Sequence, residues 1–311
     1  MEKIENLSIT WTLDNLCNYD CPYCPIPSPE KKEGVKAMNK EKLKLFFNRI
    51  HNSNIILSGG EPFLIPDFLE ICQLLINNKN KIYIYTNLSS DLVYEFAEKF
   101  TPGDIIYIRA TLHINEIKKF NSKNKFIERY NYLIKKGFHV EVPIVMWPPI
   151  FKNFEKIYKE FVSYGIYLIP LSFFGKYKEK DYPESYTKKE LKTIKKYFEK
   201  TNKDFKDNYS NPTEILKTKV SYKGRPCLTG IKSFIINPHG NISRCYSDHN
   251  SLGNIYSDNK INLFKEIKPC KANYCVCPME GYNYCLDKKN MNFYSKKNDN
   301  ILIRLVSRLL K

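Results

Sequence analysis

Residues 7–24 read LSITWTLDNLCNYDCPYC, an alternating segment from Leu7 to Leu13 that runs straight into a loop carrying Cys17, Cys21 and Cys24. Alternation with a period of two is the pattern of a β-strand with one face on a core. The loop that follows is rich in proline, so its backbone is free of strand or helix hydrogen bonding and can wrap around a cubane. Three thiolates on a four-iron cluster leave one iron open, which a cluster needs if it is to bind and reduce a substrate rather than only carry electrons. Zinc is the alternative. A tetrahedral zinc site wants a fourth Cys or His from the same neighbourhood, and none is adjacent in the sequence.

Outward from this loop, strands and helices alternate. Helical spacing runs from Asn39 to Ile50, a short apolar strand at Ile55–Leu57 stops at Gly59-Gly60, and Asp67 starts an amphipathic helix to about Ile76. Strands are predicted at Lys81–Tyr85, Ile105–Leu112, Phe138–Met146 and Ile166–Leu171. The intervening helices are predicted at Asp91–Phe100, Lys125–Lys136 and about Phe151–Ser163, with Gly137 and Gly165 as their stops. Six such units imply an α/β fold, a partial (β/α)6 barrel of parallel strands with a small cysteine-rich C-terminal extension. Active sites in parallel sheets lie at the C-terminal ends of the strands. Cys17–Cys24, Gly59–Pro62, Thr86-Asn87 and Arg109–His113 all fall there.

The pattern breaks after Leu171. An aromatic and charged stretch, Ser172–Tyr186, precedes a lysine-rich helix from Lys188 to about Lys200, and Phe234–Cys245 reads as a hairpin turning at Pro238-His239-Gly240. The expected organisation is a barrel core over 1–175, a linker with a helix over 176–226, a cysteine-rich region over 227–290 and a basic amphipathic tail over 291–311. Within Ser172–Tyr186, Phe173, Phe174, Tyr177, Tyr182 and Tyr186, with Lys176, Lys178 and Lys180 between them, suit either a substrate lid or packing between domains. Cys72 sits at an apolar helical position and reads as core.

The three-cysteine spacing, with aromatic Tyr23 just before Cys24, resembles the cluster motif of the radical SAM superfamily. Ser58-Gly59-Gly60-Glu61-Pro62, one βα unit later, is similar to that family's Gly-Gly-Glu-Pro element. The resemblance implies a 4Fe-4S cluster on Cys17, Cys21 and Cys24 that reductively cleaves S-adenosylmethionine to a 5'-deoxyadenosyl radical, which takes hydrogen from a substrate. It places Gly59, Gly60, Glu61 and Pro62 at the methionine amino group, Thr86, Asn87, Arg109 and Thr111 along the methionine or ribose, and Tyr23 by the adenine. Glycines that let a backbone approach a ligand and a carboxylate beside an ammonium agree with this.

Cys227-x12-Gly240-x4-Cys245 resembles the opening of the SPASM and twitch extensions, which hold auxiliary 4Fe-4S clusters. Cys270-x4-Cys275-x-Cys277-x7-Cys285 departs from the full SPASM spacing. The expectation is one auxiliary cluster, with Cys227 and Cys245 as ligands and two more from Cys270, Cys275, Cys277 and Cys285. A closed zinc site is the alternative for these cysteines. An auxiliary cluster could accept an electron left on the substrate, relay electrons inward or bind a substrate.

The chain of 311 residues carries ten cysteines and a formal charge of +17. No signal-peptide pattern or membrane-spanning run is present, so a reducing cytoplasm is expected, where clustered cysteines bind metal. The charge would attract nucleic acid, an acidic substrate or an anionic membrane, yet no arginine-rich cluster or RNA-binding signature is present. The tail Ile301–Lys311, with Arg304, Arg308 and Lys311 on one helical face, suits either a peripheral membrane contact or docking on its own domain.

The leading expectation is a radical SAM oxidoreductase or maturase acting on a peptide or small metabolite, supplied by an external electron donor such as flavodoxin or ferredoxin. The alternatives are a tRNA-modifying member of the family and a non-enzymatic iron-sulfur or zinc protein.

Overall fold

The computed structural model describes residues 3–34, 39–204, 221–257 and 261–273. Six strands run parallel and in chain order: β1 Ser8–Thr12, β2 Asn54–Ser58, β3 Lys81–Thr86, β4 Ile105–Ala110, β5 Val140–Met146 and β6 Leu168–Ser172. The helices between them are α1 Lys40–Phe47, α2 Phe68–Asn77, α3 Leu92–Lys99, α4 Lys123–Lys135 and α5 Phe154–Val162. This is the α/β architecture that the alternation implies. Asn39 caps α1 by accepting a hydrogen bond from the Lys42 amide at 3.0 Å, one of the orphan donors at any helix start.

The two faces of the sheet differ in kind. Ile55 and Leu57, Ile82 and Ile84, Ile108 and Ala110, and Val140, Val142 and Ile144 are buried in one continuous apolar core with Phe46, Phe47, Phe68, Phe96, Leu133 and Phe161 of the helices. Each of these Val, Leu, Ile and Phe side chains contributes about 2 kcal/mol by leaving water. The alternate positions form the inner face, which carries Tyr83 and Tyr85, Tyr107 and Arg109, and Glu141 beside the apolar Ile56 and Val145. Cys72 is fully buried in the apolar core.

The free edge of β1 does not remain open. β7, Ser233–Ile236, pairs parallel with β1, and β8, Asn241–Cys245, and β9, Asp248–Asn254, continue antiparallel. One nine-stranded sheet results, in the order β9-β8-β7-β1-β2-β3-β4-β5-β6. An unpaired strand edge invites pairing, and here the chain covers it with its own C-terminal hairpin. Residues 233–254 of the expected C-terminal cysteine-rich region thus extend the parallel sheet.

α6, Lys188–Asp204, opens with a capping box. The Glu190 carboxylate accepts from the Thr187 amide at 2.7 Å, and the Thr187 hydroxyl accepts from the Glu190 amide at 3.2 Å. This helix of the expected 176–226 linker packs on β6, where the Thr201 hydroxyl donates to the Leu168 carbonyl at 2.8 Å.

Phe173, Tyr182 and Tyr186 of the expected lid are buried, and the Tyr186 hydroxyl donates to the Met146 carbonyl while accepting from the Phe173 amide, both at 2.7 Å. Packing, not a lid, accounts for these three. Phe174 is exposed, and Tyr177 lies on the hairpin Gly175–Tyr177 and Lys180–Tyr182. Among the described residues no helix is long and apolar enough to cross a membrane. Residues 291–311, the expected basic tail, lie outside the described residues.

Candidate functional site

The cysteine loop is fastened to the segment that follows β2. The ladder between β1 and β2 ends where the Leu13 amide donates to Ser58, and the chains stay together beyond it. The Gly60 amide donates to Asp14 O and the Glu61 amide to Leu16 O, each at 2.8 Å. Contact is so close that a Cβ on Gly60 would lie 2.1 Å from the Leu16 carbonyl oxygen. The glycines are therefore needed for the approach of one backbone to another.

Within the loop, Asp14 Oδ1 accepts from the Leu16 amide at 2.6 Å and the Cys17 amide donates to Lys31 O at 2.9 Å. The Lys31 ammonium, itself buried, is held by Asp20 at 2.8 Å, which also accepts from Ser28. These contacts close the loop on the short helix Ser28–Glu33.

Glu61 is 1% exposed and its two oxygens face three donors. Oε1 accepts from the Thr86 hydroxyl at 2.7 Å and the Phe63 amide at 3.0 Å, and Oε2 from the Asn87 amide at 2.6 Å. Burial pushes its acidity constant up to about 7 against the pull of those hydrogen bonds. Glu61 thus ties the Gly59–Pro62 turn to the end of β3, and Pro62 opens a short 3-10 turn, Pro62–Leu64. Asn87 Nδ2 reaches Asn18 Oδ1 at 3.1 Å and Cys17 Sγ at 3.8 Å, and the Thr111 amide donates to Thr86 O.

Cys17, Cys21, Cys24, Tyr23, Gly59–Pro62, Thr86, Asn87 and Thr111 are therefore gathered on the C-terminal edge of the sheet. Arg109, two residues before Thr111, faces inward. Its guanidinium bonds Glu141 through Nε and Nη2 at 3.0 Å each and the Tyr85 hydroxyl through Nη1 at 3.0 Å, and it lies over the Tyr85 and Tyr107 rings.

Burial pushes the Cys17 thiol up to about 11, with the charges of Glu61 and Cys24 adding to it, and pushes the Cys21 thiol up to about 12. Three soft sulfur donors on one irregular loop, costly to ionise without a compensating cation, suit an iron-sulfur cluster, whose positive irons reverse that cost. Among the described residues no three Cys, His, Asp or Glu side chains converge closely enough to hold a single ion. A cubane sets its ligands further apart than one ion does.

His113, at the start of the short helix Ile114–Lys119, meets this loop. Its Nδ1 lies 2.9 Å from the Tyr23 hydroxyl and 3.2 Å from Cys21 Sγ, and burial lowers its acidity constant to about 4, so the ring is neutral at pH 7. Tyr23 packs on Trp147, which in turn meets Tyr177. Sequence reading reached His113 only as the end of a strand-end segment. No periodicity marks a residue 92 positions from its partner.

In the second cysteine group, Cys227 ends a two-residue strand, Pro226–Cys227, that pairs with Lys268–Pro269, and Cys270 follows directly. Cys245 closes β8, near enough to Cys227 for the charge of one to oppose ionisation of the other. Arg244, 2% exposed, organises the three segments. Its guanidinium donates to Thr229 O, Lys268 O and Pro269 O at 3.0, 2.7 and 2.9 Å and pairs with Asp248 at 3.2 Å. Cys275, Cys277 and Cys285 lie outside the described residues.

Residues 12–161 match the family model of the Radical SAM superfamily, whose members are enzymes. No curated protein sequence matches the chain. Among solved structures, native anSMEcpe with bound AdoMet and Kp18Cys peptide superimposes with a TM-score of 0.59 at 19% identity, covering 81% of this chain and 78% of that one. Streptococcus suis SuiB bound to its precursor peptide SuiA gives a TM-score of 0.57 at 14% identity, covering 81% of this chain and 63% of that one. At such identities the likeness speaks to the fold, which is the α/β fold of the radical SAM domain.

Proposed function

We propose that this protein is a radical SAM enzyme that abstracts hydrogen from a peptide, with a 4Fe-4S cluster on Cys17, Cys21 and Cys24 and one auxiliary cluster in the C-terminal cysteine region. The observation that carries the reading is the fastening of the three-cysteine loop to Gly59–Glu61 on the C-terminal edge of a parallel sheet. When bound there, the cluster and S-adenosylmethionine would supply a 5'-deoxyadenosyl radical, with the electron drawn from an external donor such as flavodoxin or ferredoxin.

The chain's own part is positioning and exclusion of water. Gly59 and Gly60 keep the loop against the sheet, and Glu61, buried beneath, fixes the ends of β2 and β3 relative to each other. Asn87 and Thr111 present polar groups on the same edge for the cofactor, and Tyr23 offers its ring. Trp147 and Tyr177 form an aromatic wall beside Tyr23 that suits peptide side chains. The peptides carried by anSMEcpe and SuiB favour a peptide over a small metabolite.

Iron and sulfide per chain, with 5'-deoxyadenosine release under reducing, anaerobic conditions, test the reading. The wild type is expected to hold about eight irons, and a variant with Cys17, Cys21 and Cys24 changed to Ala about four. Release of 5'-deoxyadenosine by the wild type alone supports the activity. A wild type that takes up iron but releases none is instead a binding or redox protein.

A further inference from the structure

His113 faces Cys21 in a way that matters once Cys21 is a ligand. Its Nδ1 has two neighbours, the Tyr23 hydroxyl at 2.9 Å and Cys21 Sγ at 3.2 Å. While Cys21 is a thiol it carries its own hydrogen, and either tautomer of the imidazole is satisfied. A ligating Cys21 has only lone pairs to present. An Nδ1 without hydrogen would then set its own lone pair against the sulfur at 3.2 Å. The tautomer with its hydrogen on Nδ1 removes that conflict and turns the contact into an N–H···S hydrogen bond. Surroundings fix the ring there: Tyr19 meets its edge at 5.9 Å, Tyr23 stacks on it at 5.9 Å, and the backbone around it is pinned by the Leu112 amide donating to Pro143 O and the Ile117 amide donating to His113 O.

We infer that His113, in the Nδ1–H tautomer, donates a hydrogen bond to the Cys21 thiolate and thereby raises the reduction potential of the cluster on this loop. The inference rests on the cluster reading above. The reduced cluster carries one more negative charge than the oxidised one, and part of that charge resides on the sulfur ligands. A hydrogen-bond donor aimed at one of them stabilises the reduced form more than the oxidised form. His113 is a positioning residue in this sense: it touches a ligand of the cluster, not the substrate.

The test is a redox titration of anaerobically reconstituted protein, following the electron paramagnetic resonance signal that changes when S-adenosylmethionine is added, in the wild type, His113→Leu and His113→Gln. The Leu variant, which has no donor, is expected to shift the reduction equilibrium at least tenfold toward the oxidised form, about 59 mV for a one-electron couple. The Gln variant, whose amide can donate, recovers most of the shift. Equal potentials in the wild type and His113→Leu, at equal iron content, overturn the inference while leaving the cluster reading intact.

A measurement on the wild type alone guards against a variant that fails to load iron. In protein labelled with 15N-histidine, the same signal is expected to carry a 15N coupling, since His113 is the histidine against the cysteine loop. Its absence refutes the hydrogen bond. A wild type that binds no iron at Cys17, Cys21 and Cys24 overturns the proposed function and this inference together.

Discussion

Gly60→Ala should detach the cysteine loop. An added Cβ would stand 2.1 Å from Leu16 O and 2.4 Å from Asn15 O, both backbone atoms, so no side chain can swing aside to make room. Relief requires the loop and the turn to separate, which breaks the bonds from the Gly60 amide to Asp14 O and from the Glu61 amide to Leu16 O. Two net hydrogen bonds are worth about 2 kcal/mol, and overpacking adds about 1–3 kcal/mol. The expected loss is about 3–5 kcal/mol, concentrated where Cys17 is held. Gly165→Ala is the control. Nothing lies within 4 Å of its Cβ position, but its φ of +76° strains an alanine, by about 1–2 kcal/mol. Urea unfolding of the apo-protein and iron uptake on reconstitution should separate the two: Gly165→Ala loses some stability and loads iron normally, whereas Gly60→Ala loses more and leaves the three-cysteine site empty of iron. If Gly60→Ala unfolds within about 1 kcal/mol of the wild type and loads iron fully, the fastening of the loop to the turn is not what holds the site.

Other perturbations read other parts of the structure. Glu61 titrates near 7 when folded and near 4.5 when unfolded, so the folded apo-protein binds the extra proton. Its stability should fall as pH rises from about 4.5 to about 7, by roughly 3 kcal/mol at most, and level off above. Glu61→Gln should flatten that slope in urea melts across this range, and an unchanged slope would assign it elsewhere. Arg109→Met leaves the 1% exposed Glu141 carboxylate without its guanidinium and should cost about 3–5 kcal/mol. Adding Glu141→Leu should restore much of that loss, and strict additivity in the double-mutant cycle would refute the pairing. Arg244→Met removes the clamp on Cys227, Cys245 and Lys268–Pro269, so reconstituted protein should drop from about eight irons toward about four. Full retention of eight would show that the clamp does not shape that site.

The parallel sheet was legible because its physics is local. Ile55–Leu57, Lys81–Tyr85 and their counterparts are short apolar runs between amphipathic helices, and each strand needs only its own residues to be recognised. The cysteine loop was legible for the same reason: three thiols within eight positions declare themselves. What sequence could not show depends on distant partners. Glu61 reads as a carboxylate for a ligand's ammonium, but folding brings Thr86 and Asn87 onto it from the end of the next strand. Arg109 reads as a strand-end polar group, and its commitment to Glu141 needs the register of β4 against β5. Ser233–Ile236 lies beside Ser8–Trp11 only because β1 has an edge to cover. The helices Ser28–Glu33 and Ile114–Lys119 are six residues each, under two turns, too short for a helical period to emerge.

The register of the C-terminal hairpin bears on how the two cysteine groups could cooperate. Ser243 of β8 lies opposite Ile235 of β7, so Cys245, two residues on along an antiparallel strand, comes level with Ser233, which pairs with Ser8 at the start of β1. The first cysteine loop leaves from the other end of β1, after Thr12. Four residues of strand span about 13 Å, so Cys245 comes level with the start of β1 and the first cysteine loop leaves from its end. The inner face carries Tyr83, Tyr107 and Tyr85, with Tyr83 and Tyr85 ring centroids 5.0 Å and 6.5 Å from Tyr107 and Tyr85 level with Thr12. Tyr246, next to Cys245, is near enough to Tyr85 for its charge to bear on that ring. A substrate on the inner face would therefore have the proposed radical source at one end and the proposed auxiliary cluster at the other. Under that reading an electron left on the substrate after hydrogen loss has an acceptor on the side away from the cofactor, and oxidation need not return through the cluster that began it.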